Sequence, residues 1–565
     1  MDKKQKPTPD LVWKQYQKGI QFNDSIHLDD TVKANENFFI GKQWEGVQSN
    51  GLPTPVFNFL KRVTLFQVAS ITSDNVKMQA SPLGITTDRR SVQVMADIIN
   101  KEFEALFEQN RIPILLREYL RNAAVDGDAC LYTYWDAEAE TGQPNKGAIC
   151  TELVENTRVY FGNPNDRRVQ KQPYIIISSR EMLESVQDRA RENGENADAI
   201  TTDEDPRNVY GSDPFRTDDK VTVLLKLWRD KETKHIWGYE CTKDCVVRKE
   251  WDMGLSLYPI TWLNWDYIQD CYHGQALITG LIPNQIFVNK AYAISMISLM
   301  SSAFPKTVYD KTRVPSWDNR VGGAIGVNGG DVTQVAKIIE PAQISPQIAQ
   351  FIELAVDQTQ TFLGATSAAM GDTRPDNTSA IIALQRASSV PSEITKQNLY
   401  QSVEDLGHIY NDFMAEYYGK RLVEKDVSKD ADPAMLEFAG IDPNQPMIVE
   451  FDFNQLKNAH FMIKLDVGAS SYWSEIAAMQ TLDGLLQNQL ITLEDYLERV
   501  PDGYVLKRQE LLEKIRGQNM QAQPMQQIGA TPIAGSPQAQ AMPEGGGYSA
   551  LQRKINETGE VPRTA

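Results

Sequence analysis

The sequence predicts an α+β protein, mainly helical, that is divided into more than one domain. Long segments with helical apolar periodicity alternate with short runs of alternating apolar residues that are typical of strands. The chain has 565 residues, which is too many for a single hydrophobic core, so two or three domains are expected. Its apolar content of 41% and charged content of 23% are typical of a folded protein.

Net charge and cysteine content exclude several classes of protein. The formal charge is −18, whereas proteins that wrap DNA carry a basic field. If this protein contacts DNA, we therefore expect it not to bind the DNA tightly. The five cysteines are sparse and odd in number, which argues against a disulfide framework and favours a reducing compartment. The polar N-terminus predicts no signal peptide, and the apolar run at 291–304 is too short to span a bilayer.

The first 270 residues predict a mixed region of helices and strands. Gly41 and Gly127 should end helices, and Trp44 should anchor the loop after Gly41. The polar segment 183–220 predicts a helix followed by a mobile surface loop. Helices are expected over 9–40, 58–71 and 91–126, and strands over 76–82, 129–136, 149–180, 221–250 and 258–265.

The chain is organised around residues 275–419, which predict a helical hairpin. A helix over 277–304 precedes a turn-rich insert with short strands. Ser345 and Pro346 then form the start signal of a second helix that ends at Gly364. A polar loop leads to a third helix, from Ser379 to about Tyr418. Nothing in this region resembles a catalytic site. We therefore expect the hairpin to have a lining role rather than a catalytic one.

The C-terminal part predicts two strands, 447–453 and 460–467, paired with each other. Helices follow over 473–516, with Thr492 and Asp495 as a weak capping box. The final segment is rich in Gln, Pro and Gly without periodicity, which is typical of a disordered tail.

Motifs of common enzymes are absent from the sequence. The two Gly-Lys pairs, at Gly41 and Gly419, are not followed by Ser or Thr, so there is no phosphate-binding loop for an ATP-driven motor. The glycine-rich segment 321–331 lacks dinucleotide-loop spacing and favours hairpin turns. Cys241, Cys245 and His235 resemble half of a metal site, but strand cysteines are the favoured interpretation.

One acidic cluster keeps an enzymatic alternative open. Asp126, Asp128 and Asp136 lie near a predicted turn, and a metal-dependent nuclease needs converging carboxylates. The helix-to-strand turn alone also explains Asp-Gly-Asp. The runner-up hypothesis is therefore a nuclease that uses these three residues.

Basic residues stand out in two segments of this acidic chain. The insert over 305–341 is neutral to slightly basic. The loop between the second and third helices has either of two roles: a solvated connection, or a contact to a phosphate backbone that reads no bases. The basic residues of the insert are Lys306, Lys311, Arg313, Arg320 and Lys337, and the polar loop residues are Thr373, Arg374, Asp376 and Asn377.

Several segments are informative through their order along the chain. They are NFFIGKQW at 37–44, LPTPVFNFLKRV at 52–63, VDGDACLYTYWD at 125–136, YPITWLNWD at 258–266, YHGQALITGLIPNQIFVNKAY at 272–292, GDTRPDNTSAIIALQRAS at 371–388 and the helical segment 465–498. In this order they resemble tailed-bacteriophage portal proteins, also called head–tail connectors. Gly274, Gln285 and Asn289 stand where that family's pattern leads from wing to stem. Each motif alone is weak, but their shared order extends over about 450 residues. The segment 183–220 and the tail are expected to lie outside the resemblance.

The resemblance implies a portal-protein fold with a wing, two stem helices, a small β-containing clip, a tunnel loop and a helical crown. The implied boundaries are wing 1–270, stem helix one 271–304, clip 305–341, stem helix two 342–364, tunnel loop 365–378, long wing helix 379–419, wing return strands 420–470, crown helices 471–517 and a disordered tail 518–565.

The resemblance also implies a non-enzymatic function without cofactor or metal. Copies would form a ring, typically a dodecamer, at the unique capsid vertex of the virion, after assembly in the host cytoplasm. Double-stranded DNA would enter and leave through its channel. The basic clip residues would dock the terminase large subunit and then head–tail adaptor or tail proteins. The major capsid protein and a scaffolding protein are further implied partners, and no membrane is involved. A third hypothesis is a structural capsid or adaptor protein without a channel.

Deletion of Thr373–Asn377 tests the tunnel-loop assignment. We expect rings to assemble normally, because a loop that contacts passing DNA contributes little to subunit contacts. DNA packaging or retention should be impaired, measured as the DNA content of particles. Loss of assembly in the deletion variant would count against the assignment.

Overall fold

A computed structural model gives the architecture of the chain. It describes residues 6–73, 76–83, 89–204, 219–303, 306–317, 325–339, 347–362, 392–425, 447–467, 472–488, 490–500, 511, 512 and 514. The chain divides into two compact units, Met1–Ile476 and Ala477–Ala565. Helices and strands alternate in blocks, which confirms the α+β class with a large helical share.

The helices of the described part are numbered in chain order, and most lie where the sequence predicts them. They are α1 (Pro9–Ser25), α2 (Leu28–Ile40), α3 (Phe59–Ile71), α4 (Arg89–Gln109), α5 (Ile112–Asp126), α6 (Leu183–Glu192), α7 (Leu277–Ala303), α8 (Gln347–Phe362), α9 (Glu393–Phe413), α10 (Tyr472–Gln487) and α11 (Leu493–Arg499).

The strands of the described part form small antiparallel sheets. The larger ones have the orders β3-β2-β9 and β4-β5-β6-β7-β8, and the two-stranded ones pair β1 with β14, β10 with β11 and β12 with β13. The strands are β1 (Val76–Pro82), β2 (Asp128–Asp136), β3 (Ala148–Val154), β4 (Val159–Phe161), β5 (Ile175–Met182), β6 (Lys220–Arg229), β7 (Ile236–Cys241), β8 (Val246–Asp252), β9 (Ile260–Asn264), β10 (Thr307–Tyr309), β11 (Ala336–Ile338), β12 (Lys420–Lys425), β13 (Met447–Asp452) and β14 (Phe461–Val467).

Helix ends follow the local signals of the sequence. The side chain of Asn58 accepts a hydrogen bond from the Lys61 amide and starts α3. Gly41 ends α2 with φ of 96°, a conformation that glycine adopts readily. The indole of Trp44 donates to the Pro55 carbonyl at 2.9 Å and anchors the intervening loop. The predicted stop at Gly41, the anchor at Trp44 and the helix after Asn58 are confirmed.

The helical region 91–126 is interrupted, whereas apolar periodicity alone indicates one continuous stretch. Arg111 has φ of 51°, and α5 starts directly after it with Pro113 in its first turn. Proline lacks the amide donor that a helix interior needs, so a helix tolerates it only at its start. The break therefore separates α4 from α5.

The five-stranded sheet is covered on both faces, which explains why its strands read as nearly continuous apolar runs. Ile175 and Ile177 of β5 belong to the main hydrophobic core. Ile176, between them, belongs to a second cluster that Val12 and Tyr16 of α1 complete. Alternate residues of one strand thus bury against different layers.

The predicted pairing of 447–453 with 460–467 is wrong. Met447–Asp452 pairs with Lys420–Lys425, and Phe461–Val467 pairs with Val76–Pro82 from the other end of the sequence. A 3-10 segment, Phe453–Asn458, separates the two strands. Period-two alternation identifies a strand but contains no information about its partner, so the nearest strand along the chain need not be that partner.

The second unit contains the predicted capping box. The Thr492 hydroxyl accepts from the Asp495 amide, and the Asp495 carboxylate accepts from the Thr492 amide. Tyr496 of α11 donates to Asp483 of α10 at 2.6 Å.

Several predicted segments lie outside the described residues. They are the start and stop signals Ser345, Pro346 and Gly364, the segments 205–218 and 379–391, most of 506–516 and the tail.

Gly127 is a close-packed position between α5 and β2. Its φ is 100°, and a Cβ atom there would lie 2.7 Å from the Gly274 carbonyl oxygen. We expect Gly127→Ala to lower the free energy of unfolding by about 2 kcal/mol or more, through backbone strain and the displaced segment before α7.

Chemical denaturation measures this effect, with Gly46→Ala as the matched control. Gly46 also has positive φ (78°), but nothing lies within 4 Å of the position that its Cβ atom would occupy. The free energy of unfolding of the control should fall only by the cost of placing a non-glycine residue at positive φ, about 1 kcal/mol. Equal losses in both variants would contradict a close packing role for Gly127.

Candidate functional site

Helix α7 begins inside the protein and ends outside it. Ile278, Leu281 and Val288 in its first half are buried. The ring of Tyr292 stacks on that of Phe57 with centroids 3.9 Å apart. Every residue of α7 after Asn289 is at least partly exposed. The helix therefore projects from a seat formed by its first half.

Buried amides form the seat, and they link α7 to the N-terminal helices. Gln285 accepts from the Leu60 amide at 3.3 Å and donates to the Phe57 carbonyl at 2.7 Å. Asn289 accepts from Gln285 at 3.0 Å and donates to Gln43 at 2.5 Å. Gln285 is 0% and Asn289 3% exposed. In the folded protein, hydrogen bonds to other protein groups therefore replace the hydrogen bonds that these side chains would make to water. Such networks specify one orientation of a helix.

A buried carboxylate holds the chain as it enters α7. Asp128, the first residue of β2, accepts hydrogen bonds from the Asn264 amide group at 2.7 Å and the Gly274 backbone amide at 2.6 Å. Its other oxygen lies 2.6 Å from Nδ1 of His273. One side chain thus connects the end of β9, the start of β2 and the segment before α7.

Helix α8 packs against α7 after the chain has reversed through the antiparallel pair β10 and β11. The Asn284 side chain donates to the Thr359 hydroxyl at 3.0 Å. Ile352 and Thr359, seven residues apart, are the buried positions among residues 347–361, the part of α8 whose side chains are described. The two antiparallel helices form a hairpin whose contacts leave most of each surface uncovered.

The uncovered surface of this hairpin is strongly apolar. Leu299 is 66% and Ile294 58% exposed, and Lys290 is the single charged residue of α7. Exposed apolar patches of this kind mark interaction sites. The exposed apolar side chains are Phe287, Ile294, Met296, Leu299, Met300, Phe351 and Leu354.

The length of α7 corrects one expectation. The run at 291–304 is too short for a membrane span by itself, but it belongs to a helix of 27 residues. Within the described residues this helix is the one that has the length and composition of a span, and 17% of its most apolar window is buried. A single such helix is weak evidence for a membrane.

The hairpin's far end carries the strands β10 and β11, where the basic docking residues are predicted. Lys306, Lys311 and Lys337 are exposed there. Arg313 is instead used internally, because its guanidinium donates to the Gly329 and Asp331 carbonyls, the latter at 3.1 Å. It closes the loop between the strands. The docking role of these residues stays a prediction.

The remaining predicted site residues lie outside the described part of the chain. They are Arg320 and the four polar loop residues Thr373, Arg374, Asp376 and Asn377. Their contact with DNA or with partner proteins also stays a prediction.

The three carboxylates of the nuclease hypothesis do not converge. Asp128 is committed to Asn264, His273 and Gly274, as described above. Asp136 lies at the other end of β2, about 26 Å along the strand at 3.3 Å per residue. No group of three or more His, Cys, Asp or Glu side chains in the described ranges could hold a metal ion.

The residues that resemble half of a metal site in the sequence are also dispersed. Cys241 and Cys245 are free thiols on either side of the turn between β7 and β8, and Cys245 donates to the Ala199 carbonyl at 3.2 Å. His235 lies 3.1 Å from Asp252. The strand interpretation is confirmed for Cys241, which ends β7, whereas Cys245 lies in the turn just before β8.

Comparison with known families identifies the kind of protein that carries this hairpin. The family described as phage P22-like portal proteins matches residues 186–557, which is more than half of the chain. This chain belongs to that family. The match includes α7, α8, β10 and β11. A search of curated proteins found no match.

Membership makes the protein a structural, non-enzymatic component of a phage virion, of the kind found at the capsid vertex as head–tail connector. The portal match also covers most of 183–220 and the C-terminal tail. Both were expected to lie outside the resemblance, and that expectation was wrong. The segments before residue 186 that suggested the family lie outside the match.

The sequence analysis did not predict that the apolar outer surface and the amide seat together form one site. The signal for the seat was visible, because Gln285 and Asn289 stand four residues apart within an otherwise apolar helix. The surface gave no comparable signal, since an apolar helix in a sequence is normally a buried one.

Replacement of Asn289 tests the seat. Asn289→Leu removes the acceptor of Gln285 and the donor to Gln43, and leaves both in a buried site. We expect the free energy of unfolding to fall by about 1–3 kcal/mol in chemical denaturation. Asn284→Leu is the control on the same helix: it removes one hydrogen bond, to Thr359, from an exposed side chain and should cost below about 1 kcal/mol. A smaller effect at Asn289 than at Asn284 would contradict the seat.

Asp126 makes stability depend on pH. Burial raises its pKa to about 7, with Glu36, Glu155 and Asp128 adding to the rise and Arg121 opposing it. The folded state therefore favours the protonated acid. The resulting contribution of Asp126 to the free energy of unfolding is full below about pH 4 and is lost as pH rises through 7.

We expect Asp126→Asn to gain thermal stability relative to the unsubstituted protein as pH rises from 5 to 8, because the amide cannot ionise. Melting curves of the two proteins, recorded side by side across this range, measure the gain. A difference in melting temperature that stays constant with pH would show that Asp126 does not titrate in this way.

Proposed function

We propose that copies of this chain form a closed ring, typically a dodecamer, at the unique capsid vertex, and that double-stranded DNA enters and leaves through its channel. The exposed apolar surface of the α7–α8 hairpin is the observation that supports the ring most directly. A 27-residue helix extends about 40 Å and here carries one charged residue, so a single copy exposes a long apolar surface to water at a cost in free energy. Neighbouring copies that bury this surface against one another would remove that cost.

The charge of the chain supports the passage of DNA. A ring multiplies the −18 of each copy, so a bore lined by acidic surface repels phosphates and lets DNA slide. Basic residues would then touch the backbone at few places. Arg374, with Thr373, Asp376 and Asn377, is our proposed contact in the tunnel loop at 365–378.

The β10–β11 end of the hairpin is the proposed docking surface. Lys306, Lys311 and Lys337 present exposed ammonium groups there, and Val308 and Ile338 present exposed apolar side chains. Terminase large subunit would bind first and head–tail adaptor or tail proteins later, with Arg320 as a further contact. The major capsid protein and a scaffolding protein would meet the ring during assembly in the host cytoplasm.

The domain assignment follows the same proposal. Residues 1–270 with the returns at 379–419 and 420–470 would form the wing, 471–517 the crown and 518–565 a disordered tail. Stem helices at 271–304 and 342–364 would enclose the clip at 305–341.

Electron microscopy of the purified protein tests the ring. We expect a turbine-like particle with a central hole, and a native mass that is an integral multiple of 63.6 kDa, typically twelve. Assembly should depend on protein concentration. A monomer in solution that is also absent from the vertex of assembled particles would refute the proposal.

Two alternatives give different results. A metal-dependent nuclease would cut plasmid DNA in the presence of Mg²⁺, whereas a ring leaves it intact; the separation of Asp128 from Asp136 favours intact DNA. A capsid or adaptor protein without a channel would give particles with no central hole.

A further inference from the structure

We infer that adjacent copies are joined by an ion pair between Lys290 on α7 of one copy and Glu353 on α8 of the next. This inference rests on the proposed ring and specifies which surfaces meet in it. The partner is a second copy of this chain.

Charge is scarce on the two helices, which makes its placement informative. Lys290 is the single charged residue of α7, and Glu353 and Asp357 are the charged residues of α8. All three side chains are exposed. No ion pair involves any of them among the residues that the structure describes. An isolated lysine on one apolar surface and two carboxylates on another are complementary.

The three charges lie at related levels of the hairpin. The hydrogen bond from Asn284 to Thr359 sets the register of the antiparallel helices. Lys290 lies six residues after Asn284, and Glu353 lies six residues before Thr359. At 1.5 Å per residue both are about 9 Å from the contact, in the same direction. Rotation about a ring axis parallel to the hairpin preserves this level, so Lys290 of one copy meets Glu353 of the next at equal height.

The two side chains also lie on opposite flanks. Six residues at about 100° each turn Lys290 about 120° away from the Asn284 contact on α7. The same displacement along α8 turns Glu353 about 120° away from Thr359, in the same sense when viewed along the hairpin. Because the two contact residues face each other, these equal turns bring the charged side chains to opposite sides. A head-to-tail ring requires unlike surfaces on the two sides, and this arrangement provides them.

The surroundings strengthen the pair. Phe287 and Ile294 flank Lys290 by about one turn, and Leu354 adjoins Glu353, all exposed in the single copy. Burial of these side chains between copies lowers the local dielectric and strengthens the attraction. Asp357 lies one turn from Glu353, and the lysine also relieves the repulsion between those carboxylates.

Charge reversal and its restoration test the pair. We expect Lys290→Glu and Glu353→Lys each to raise the concentration needed for half-assembly at least about tenfold. The double variant K290E/E353K, and an equimolar mixture of the two single variants, should restore rings. In the mixture, alternating copies place the carboxylate introduced at position 290 opposite the ammonium introduced at position 353, and the native pair forms at every other interface. Lys290→Gln is the milder variant, whose assembly should lose its dependence on salt.

The controls separate this inference from the ring itself. Lys18→Glu changes an exposed lysine of α1 and should assemble as the unsubstituted protein does. Absence of rings in the unsubstituted protein, both in solution and in assembled particles, would refute the proposed function. Rings that persist in Lys290→Glu as they do in Lys18→Glu would overturn the ion pair alone. Failure of both the double variant and the mixture to restore assembly would overturn the assignment of Glu353 as the partner.

Discussion

A helix that is apolar on all sides has no face that hydrophobic burial alone can select, so polar contacts must orient it. In α7 this constraint is met by Gln285 and Asn289, whose amides reach Phe57, Leu60 and Gln43. A second restraint comes from the carboxylate at the start of β2, which holds the segment that leads into the helix. These contacts determine the direction in which α7 leaves the protein, and with it the placement of α8 and the β10–β11 end.

The same constraint connects the fold to assembly. The amide contacts fix which face of α7 points inward. The outer face can therefore be apolar as well, without the helix turning that face towards the core. The second half of the helix then exposes Ile294 and Leu299 to a degree that a single copy does not explain. In the proposed ring, neighbouring copies would cover this surface, and the sparse charges Lys290 and Glu353 would decide which flanks meet.

Two disagreements between sequence and structure have the same origin. Strand β14 pairs with β1, which comes from the far end of the chain, rather than with the strand that precedes it. The carboxylates of Asp128 and Asp136 are close in sequence, yet the extended strand between them carries them apart. In both cases proximity along the chain does not give proximity in space. Strand pairing and side-chain convergence depend on the whole fold, which local patterns do not encode.

Local elements and family membership could be predicted from the amino-acid order alone. Caps such as Asn58 and Thr492, the stop at Gly41 and the periodicity of the strands act over three to eight residues, so they can be read directly. Ordered motifs indicated a portal protein, and the family match established it.

Packing of the whole chain was needed for the rest of the site. It shows that the buried positions of α7 all lie in its first half, that Arg313 closes its own loop and that Lys290 and Glu353 share one level. Each of these depends on which surfaces the packed elements leave uncovered. That is a property of the elements together rather than of any one of them, so no local pattern contains it.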